Sequence, residues 1–342
     1  MTVTLDQLGR PLRDLRLSVT DRCNLRCPYC MPREVFGRDF AFLERDELCS
    51  FEELTRLCRL FAELGVEKIR ITGGEPLLRR DIERLVAMIT AIPGISDVAL
   101  TTNGTLLAAK AEALRAAGLG RVTVSLDALD ERVFRAMSDS RLSLARVLEG
   151  IDAALAAGLA PVKINMVVRR GVNDHCVLEM AERFRGRPEI LRFIEYMDVG
   201  NTNGWRAAEV VPAQEILAAI GERWPLESLA PTTIGEVASR YRYLDGAGEI
   251  GFIHSVSQPF CATCTRARLS ADGTLFTCLF AARGVDLRAL LRNGADDQEL
   301  RRSVAEIWRD RADRYSGERA ELAERPVGAR SRAKIEMSYI GG

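Results

Sequence analysis

The stretch Cys23-Asn24-Leu25-Arg26-Cys27-Pro28-Tyr29-Cys30 constrains this chain more than any other. Gaps of three and two residues put three thiols inside one short turn, where their sulfurs can face a common point. A closed structural zinc site takes four protein ligands, typically as two spaced pairs. Three thiolates at this density also suit an iron-sulfur cluster with one iron left for another ligand. The plain alternatives are a disulfide with a spare thiol, or three buried thiols.

The βα rhythm around that turn predicts an α/β fold. Six short β-branched runs, at 15–20, 68–72, 97–102, 121–127, 162–168 and 191–196, alternate with helical patterns, as in a parallel sheet or barrel. Ser50 and Glu53 form a capping box for the first helix, which carries Leu54, Leu57, Cys58 and Phe61 on one face and stops at Gly65. Later helices stop at Pro93-Gly94, Gly118 and Gly158. Along the strands one face is polar: Arg16, Ser18 and Thr20, then Lys68, Arg70 and Thr72, then Thr123, Ser125 and Asp127, then Lys163 and Asn165. The other face is apolar. A closed eight-strand barrel packs branched apolar residues inward, so a polar inner face predicts an incomplete six-unit barrel with an open lumen. The cysteine turn, Thr72-Gly73-Gly74-Glu75-Pro76, Thr101-Thr102-Asn103-Gly104, Ser125-Leu126-Asp127 and Glu195-Tyr196-Met197-Asp198 each follow a strand, which is where parallel barrels carry their sites.

After about Val211 the rhythm changes to a helix near 212–224, a hairpin around Asp245-Gly246-Ala247-Gly248, and a second trio, Cys261, Cys264 and Cys278. As a zinc ribbon this trio lacks a fourth cysteine, and His254 is the nearby substitute. The expected organisation is a partial barrel over 1–225 and a C-terminal segment over 226–342. Cys49, Cys58 and Cys176 stand alone and read as ordinary thiols.

Composition excludes several classes. Basic and acidic residues number 48 each, so no global field recruits nucleic acid, and any anion site is a local arrangement of cations. Nine cysteines behind a polar N-terminus predict thiolate ligation in a reducing cytoplasm, and no run approaches the roughly 18 apolar residues of a membrane span.

The first trio, with Tyr29 before its last cysteine, resembles the signature of the radical S-adenosylmethionine (SAM) enzymes, and Gly73-Gly74-Glu75-Pro76 resembles their GGEP motif. The second trio, Arg266-Ala267-Arg268 after Cys264, and the ending Tyr339-Ile340-Gly341-Gly342 are similar to the GTP 3′,8-cyclase family of molybdenum cofactor biosynthesis, also called molybdenum-cofactor biosynthesis protein A; the likeness runs from Arg13 to the last residue. The resemblance implies a lyase with two 4Fe-4S clusters. One sits on Cys23, Cys27 and Cys30 with SAM on its fourth iron, and the other on Cys261, Cys264 and Cys278 with an iron open to guanine. A 5′-deoxyadenosyl radical would take hydrogen from C3′ of GTP, giving (8S)-3′,8-cyclo-7,8-dihydroguanosine 5′-triphosphate. It further implies SAM contacts at Tyr29, Gly74, Ser125 and Met197, with Thr101 nearer GTP, and an active-site role for Gly341 and Gly342. Arg16, Lys68, Arg70, Lys163, Arg192, Arg266 and Arg268 are candidates for the triphosphate, the last two also for catalysis. Implied partners are an electron donor, the downstream cyclic pyranopterin monophosphate synthase and a second copy of the chain, with no nucleic acid and no membrane. Two other classes explain the cysteines: a peptide-modifying radical SAM enzyme, which leaves the Arg-x-Arg pair and glycine ending unexplained, and a non-catalytic metal-binding protein, which leaves the charged lumen unexplained.

Overall fold

The computed structural model describes residues 3–233, 235–324 and 333–341. Its strands are β1 (Asp14–Ser18), β2 (Lys68–Thr72), β3 (Asp97–Thr102), β4 (Arg121–Ser125), β5 (Lys163–Val168), β6 (Ile190–Glu195), β7 (Leu226–Leu229), β8 (Ser239–Tyr243), β9 (Glu249–Ile253), β10 (Arg266–Leu269), β11 (Thr274–Phe276) and β12 (Val285–Asp286). The first six pair in chain order and in parallel, each with the next. They are the six expected strands, with ends moved by a residue or two.

The C-terminal segment extends the same sheet at both edges. Strand β10 pairs in parallel with β1, and β9 pairs in parallel with β6, so the parallel array reads β10-β1-β2-β3-β4-β5-β6-β9. Antiparallel strands β11 and β12 continue from one edge, and β8 and β7 from the other. The parallel part is thus wider than the six strands expected.

Alternation decides which face meets which layer. Leu15, Leu17, Ile69, Ile71, Leu100, Val122, Val124, Ile164, Met166, Leu191 and Phe193 are buried in one core with helix residues such as Leu57, Phe61, Val86, Leu114, Ile151 and Met180. Each such side chain contributes roughly 1.5–3 kcal/mol on burial, which fixes register, because a one-residue slip would turn every lumen cation into the helices. The first helix, Phe51–Glu63, starts on the expected capping box, with Ser50 Oγ accepting from Glu53 N at 3.1 Å and the Glu53 carboxylate accepting from Ser50 N at 2.7 Å.

Candidate functional site

The first cysteine trio is held by backbone rather than by chance packing. Cys30 N and Met31 N donate to the Cys27 carbonyl, and the Arg26 guanidinium fills the turn from behind, reaching the carbonyls of Cys23, Leu25 and Phe36 at 2.7–2.8 Å. The GGEP stretch pins the same turn, with Gly74 N on Thr20 O at 2.7 Å and Glu75 N on Arg22 O at 2.8 Å. A Cβ on Gly73 would stand 2.5 Å from Thr20 O, and one on Gly74 would stand 2.3 Å from Arg22 O. These glycines are therefore already required by the cysteine turn, whatever approaches them from the lumen. Gly74→Ala should cost roughly 1–3 kcal/mol or more of stability through overpacking against backbone. Denaturant unfolding with iron counting checks this, and wild-type values in both would show that the turn yields.

Buried carboxylates organise the surrounding loops. Glu75 accepts from Leu77 N, Thr102 Oγ1 and Asn103 N at 2.7–3.0 Å, and burial raises its carboxyl to about 7 despite those bonds. Asn103 passes the link on to Asn24, inside the cysteine turn, at 2.8 Å. Asp127 takes the Tyr29 hydroxyl at 2.8 Å and Val167 N at 2.9 Å, and burial pushes it up to about 6. Glu195 collects Ala213 N, Val256 N, Ser257 N and the Ser257 hydroxyl, tying β6 to the loop after β9.

The second trio sits at the opposite end of the strands, on the turn before β10, which neighbours β1, and on the residues after β11. Arg10 and Arg311 brace it: Arg10 Nη1 donates to Cys261 O at 2.7 Å and Arg311 Nη1 to Cys264 O at 2.8 Å, while both guanidiniums meet Asp6. Arg266 donates to Cys264 Sγ at 3.3 and 3.4 Å and lies over the Phe260 ring. Burial alone would raise the Cys264 thiol, but the charges of Arg266 and Arg311 bring it down to about 6. Burial, with neighbouring negative groups, instead pushes Cys23 and Cys278 up to about 11 and Cys30 to about 12.

Between the trios the strands carry cations in rows. Register places Arg268, Arg16 and Arg70 side by side on β10, β1 and β2, and below them Arg266, Asp14, Lys68 and Asp97. Two of the lumen cations are held by carboxylates, Lys68 by Asp14 at 3.2 Å and Arg121 by Asp97. Others lean on neutral groups. Arg70 Nη1 reaches the hydroxyls of Thr101 and Thr123, its Nε has no hydrogen-bond partner among the described residues, and Arg192 Nε donates to Asn165 Oδ1 at 2.9 Å. Burial, then the charges of Arg192, Arg121 and Arg70, brings Lys163 down to about 7.

All six cysteines and all of these cations line one cavity of about 600 Å³, as do Tyr29, Gly74, Thr101, Ser125 and Met197. No three His, Cys, Asp or Glu side chains among the described residues close on a single metal ion. A 4Fe-4S cluster is a larger body whose thiolate ligands stand around it, and an all-thiol trio opening on a shared cavity fits that donor chemistry at both ends. The radical SAM superfamily model matches residues 17–184, and the model for Molybdenum Cofactor Synthesis C matches residues 190–317. A GTP 3′,8-cyclase of Acidothermus cellulolyticus is 56% identical over 356 residues, covering 98% of each chain, and that of Staphylococcus saprophyticus is 50% identical over 338 residues with the same coverage. The chain belongs to the GTP 3′,8-cyclase family. Among solved structures, SuiB of Streptococcus suis bound to S-adenosylmethionine superposes on this cyclase-family fold with a TM-score of 0.62 at 16% identity, covering 92% of this chain and 70% of that one. That likeness concerns fold alone.

In this member of the cyclase family the C-terminal tail reaches the lumen. Gly341 is buried against Thr72, and its carbonyl accepts a hydrogen bond from Arg268 Nη1; Gly342 lies outside the described residues. Sequence reading missed Asp14, Asp97 and Arg121, although Arg121 shares its face with Thr123 and Ser125, so strand alternation carried the signal. It also missed the loop of Thr232, Thr233 and Gly235 to Ala238, which lines the cavity but has no periodicity to betray it. His254, the substitute zinc ligand considered above, is buried with Nδ1 unpartnered among the described residues and does not line the cavity.

Proposed function

We propose that this chain performs the GTP 3′,8-cyclase reaction, using SAM to convert GTP into (8S)-3′,8-cyclo-7,8-dihydroguanosine 5′-triphosphate for molybdenum cofactor biosynthesis. The observation that carries this reading is the facing of two cysteine trios across one cavity whose walls bear buried cations. Cys23, Cys27 and Cys30 would hold one 4Fe-4S cluster, which would supply the electron for SAM cleavage, and Cys261, Cys264 and Cys278 would hold a second, which would supply a Lewis-acidic iron to the guanine edge.

The protein's own part is position and charge. Tyr29, Gly74, Ser125 and Met197 line the cavity that the first trio also lines, which supports their reading as SAM contacts. Arg16, Lys68, Arg70, Lys163 and Arg192 are the proposed triphosphate ligands, with Thr101 nearby. A close cation–phosphate pair is worth up to about 4 kcal/mol at an effective dielectric near 20, before desolvation. A polyanion beside Lys163 opposes the depression caused by burial and its cationic neighbours. Arg266 is held by Cys264 and Phe260, and Arg268 by the tail, so these two orient the second trio and the chain end as well as facing substrate.

The reading includes an external electron donor, hand-over to the cyclic pyranopterin monophosphate synthase, a homodimeric state and residence in the cytoplasm. No helix among the described residues is long and apolar enough to cross a membrane. Anaerobic incubation of the reconstituted protein with SAM, reductant and GTP should give 5′-deoxyadenosine in step with loss of GTP, with deuterium entering it from 3′-deuterated GTP. SAM cleavage indifferent to GTP would overturn the substrate assignment.

A further inference from the structure

The loop that follows β6 forms part of the cavity wall through Tyr196, Met197 and Val199. It closes on itself by bonds from the Tyr196 hydroxyl to Asn203 O, from Asn203 Nδ2 to Met197 O, and from Trp205 Nε1 to Tyr196 O, at 2.8–2.9 Å. Its outer side is gripped by the tail. Lys334 Nζ donates to the carbonyl and the carboxylate of Asp198 at 2.6 and 2.9 Å, and the Asn201 amide clamps the Lys334 backbone, taking its N–H and donating to its carbonyl. The Glu336 carboxylate then accepts from Asn201 N at 2.9 Å and Thr202 Oγ1 at 3.1 Å. Gly200 shows how close this contact is. Its φ is +62°, and a Cβ there would stand 2.1 Å from Glu336 Oε2, so the loop is bare where the carboxylate lands.

The same tail reaches the other wall. Ile335 N donates to Ala281 O at 2.8 Å, three residues past Cys278, and Met337 lines the cavity beside the loop it helps to hold. A Lys334 ammonium between Asp198 and the rings of Tyr315 and Phe280 completes the grip.

We propose that Lys334 and Glu336 are positioning residues that set the loop of Met197 for SAM, so that docking of the tail and binding of SAM favour one another. This rests on the reading of Met197 as a SAM contact. A segment that holds a binding loop in one shape must, by linkage, be held more firmly when that loop is occupied. Neither residue hydrogen-bonds a cysteine ligand, although the Glu336 charge is among those that raise the Cys30 thiol, and neither is asked to take part in chemistry.

The test reads SAM binding without GTP. In the cluster-loaded protein, Glu336→Ala should raise the SAM dissociation constant about tenfold by equilibrium dialysis, leaving iron content and GTP affinity at wild-type values. Lys334→Ala should act in the same direction, and Lys334→Arg should restore most of the affinity. A purely structural role for the tail predicts lower product yield with unchanged SAM affinity, and that outcome overturns the proposal. Hydrogen exchange on the unaltered protein gives an independent check: SAM should slow exchange at Ile335, Tyr339 and Gly341, whose N–H groups are bonded in the docked tail. No change in their protection overturns the coupling even where a variant fails to fold. Wild-type protein that binds no SAM would instead count against the functional reading itself.

Discussion

Replacing Cys27 by alanine is expected to remove about half the bound iron and all SAM cleavage. The two trios stand on separate supports. The first hangs on the turn after β1, with Arg26 and the GGEP stretch behind it, and the second on the turn before β10, braced by Arg10 and Arg311. Losing a ligand at one support leaves the hydrogen bonds of the other untouched, so the second trio should keep its share. Cys27 is the best probe because it sits between the other two thiols, and its carbonyl carries the turn, which alanine preserves. Anaerobic iron and sulfide counting, with assay of 5′-deoxyadenosine, decides it. Full iron content, or SAM cleavage surviving in the variant, would defeat the assignment of the first trio.

Much of this architecture was legible because strand alternation and cysteine spacing are local. Arg16 against Leu17 and Lys68 against Ile69 divide one sheet into a lumen face and a helix face, and the structure keeps that division from β1 to β6. What stayed hidden depends on partners distant in sequence. Strand β10 reads Arg-Ala-Arg-Leu and looked like a ligand's flank; only its register against β1 makes it part of the sheet and sets Arg268 beside Arg16. The brace of Asp6, Arg10 and Arg311 joins residues about 300 apart, and no window of sequence contains it. Gly74 and Gly200 were visible as glycines, but the atoms that crowd them, the backbone Arg22 O and the side-chain Glu336 Oε2, belong to other segments.

The tail supplies the second large effect. Deleting Gly341 and Gly342, or replacing Gly341 by alanine, is expected to leave folding, both iron sites and GTP binding intact while productive hydrogen abstraction from C3′ is lost. Gly341 has φ +77°, where an L side chain is strained, and a Cβ would stand 2.3 Å from Thr72 Cγ2 on the lumen row of β2. Left-handed strain costs roughly 1–2 kcal/mol and overpacking roughly 1–3 kcal/mol. The sum, about 2–5 kcal/mol, is a sizeable share of a domain's stability, but it is relieved when the tip leaves the lumen, where its carbonyl is held by one bond from Arg268. Upstream, Tyr339 keeps its hydroxyl on Asp272 at 2.5 Å and its ring against Phe276, so the tail should stay docked as far as Tyr339 while its tip leaves the lumen. With the tip gone, Arg268 loses the carbonyl it holds, and the wall beside Thr72 loosens where substrate must be aligned. A displacement of about 1 Å can cost a hundredfold in a reaction that depends on alignment. The decisive measurement is deuterium transfer from 3′-deuterated GTP into 5′-deoxyadenosine: it should fall by about two orders of magnitude while SAM cleavage without GTP persists. Wild-type transfer by Gly341→Ala would show that the tip is only an end.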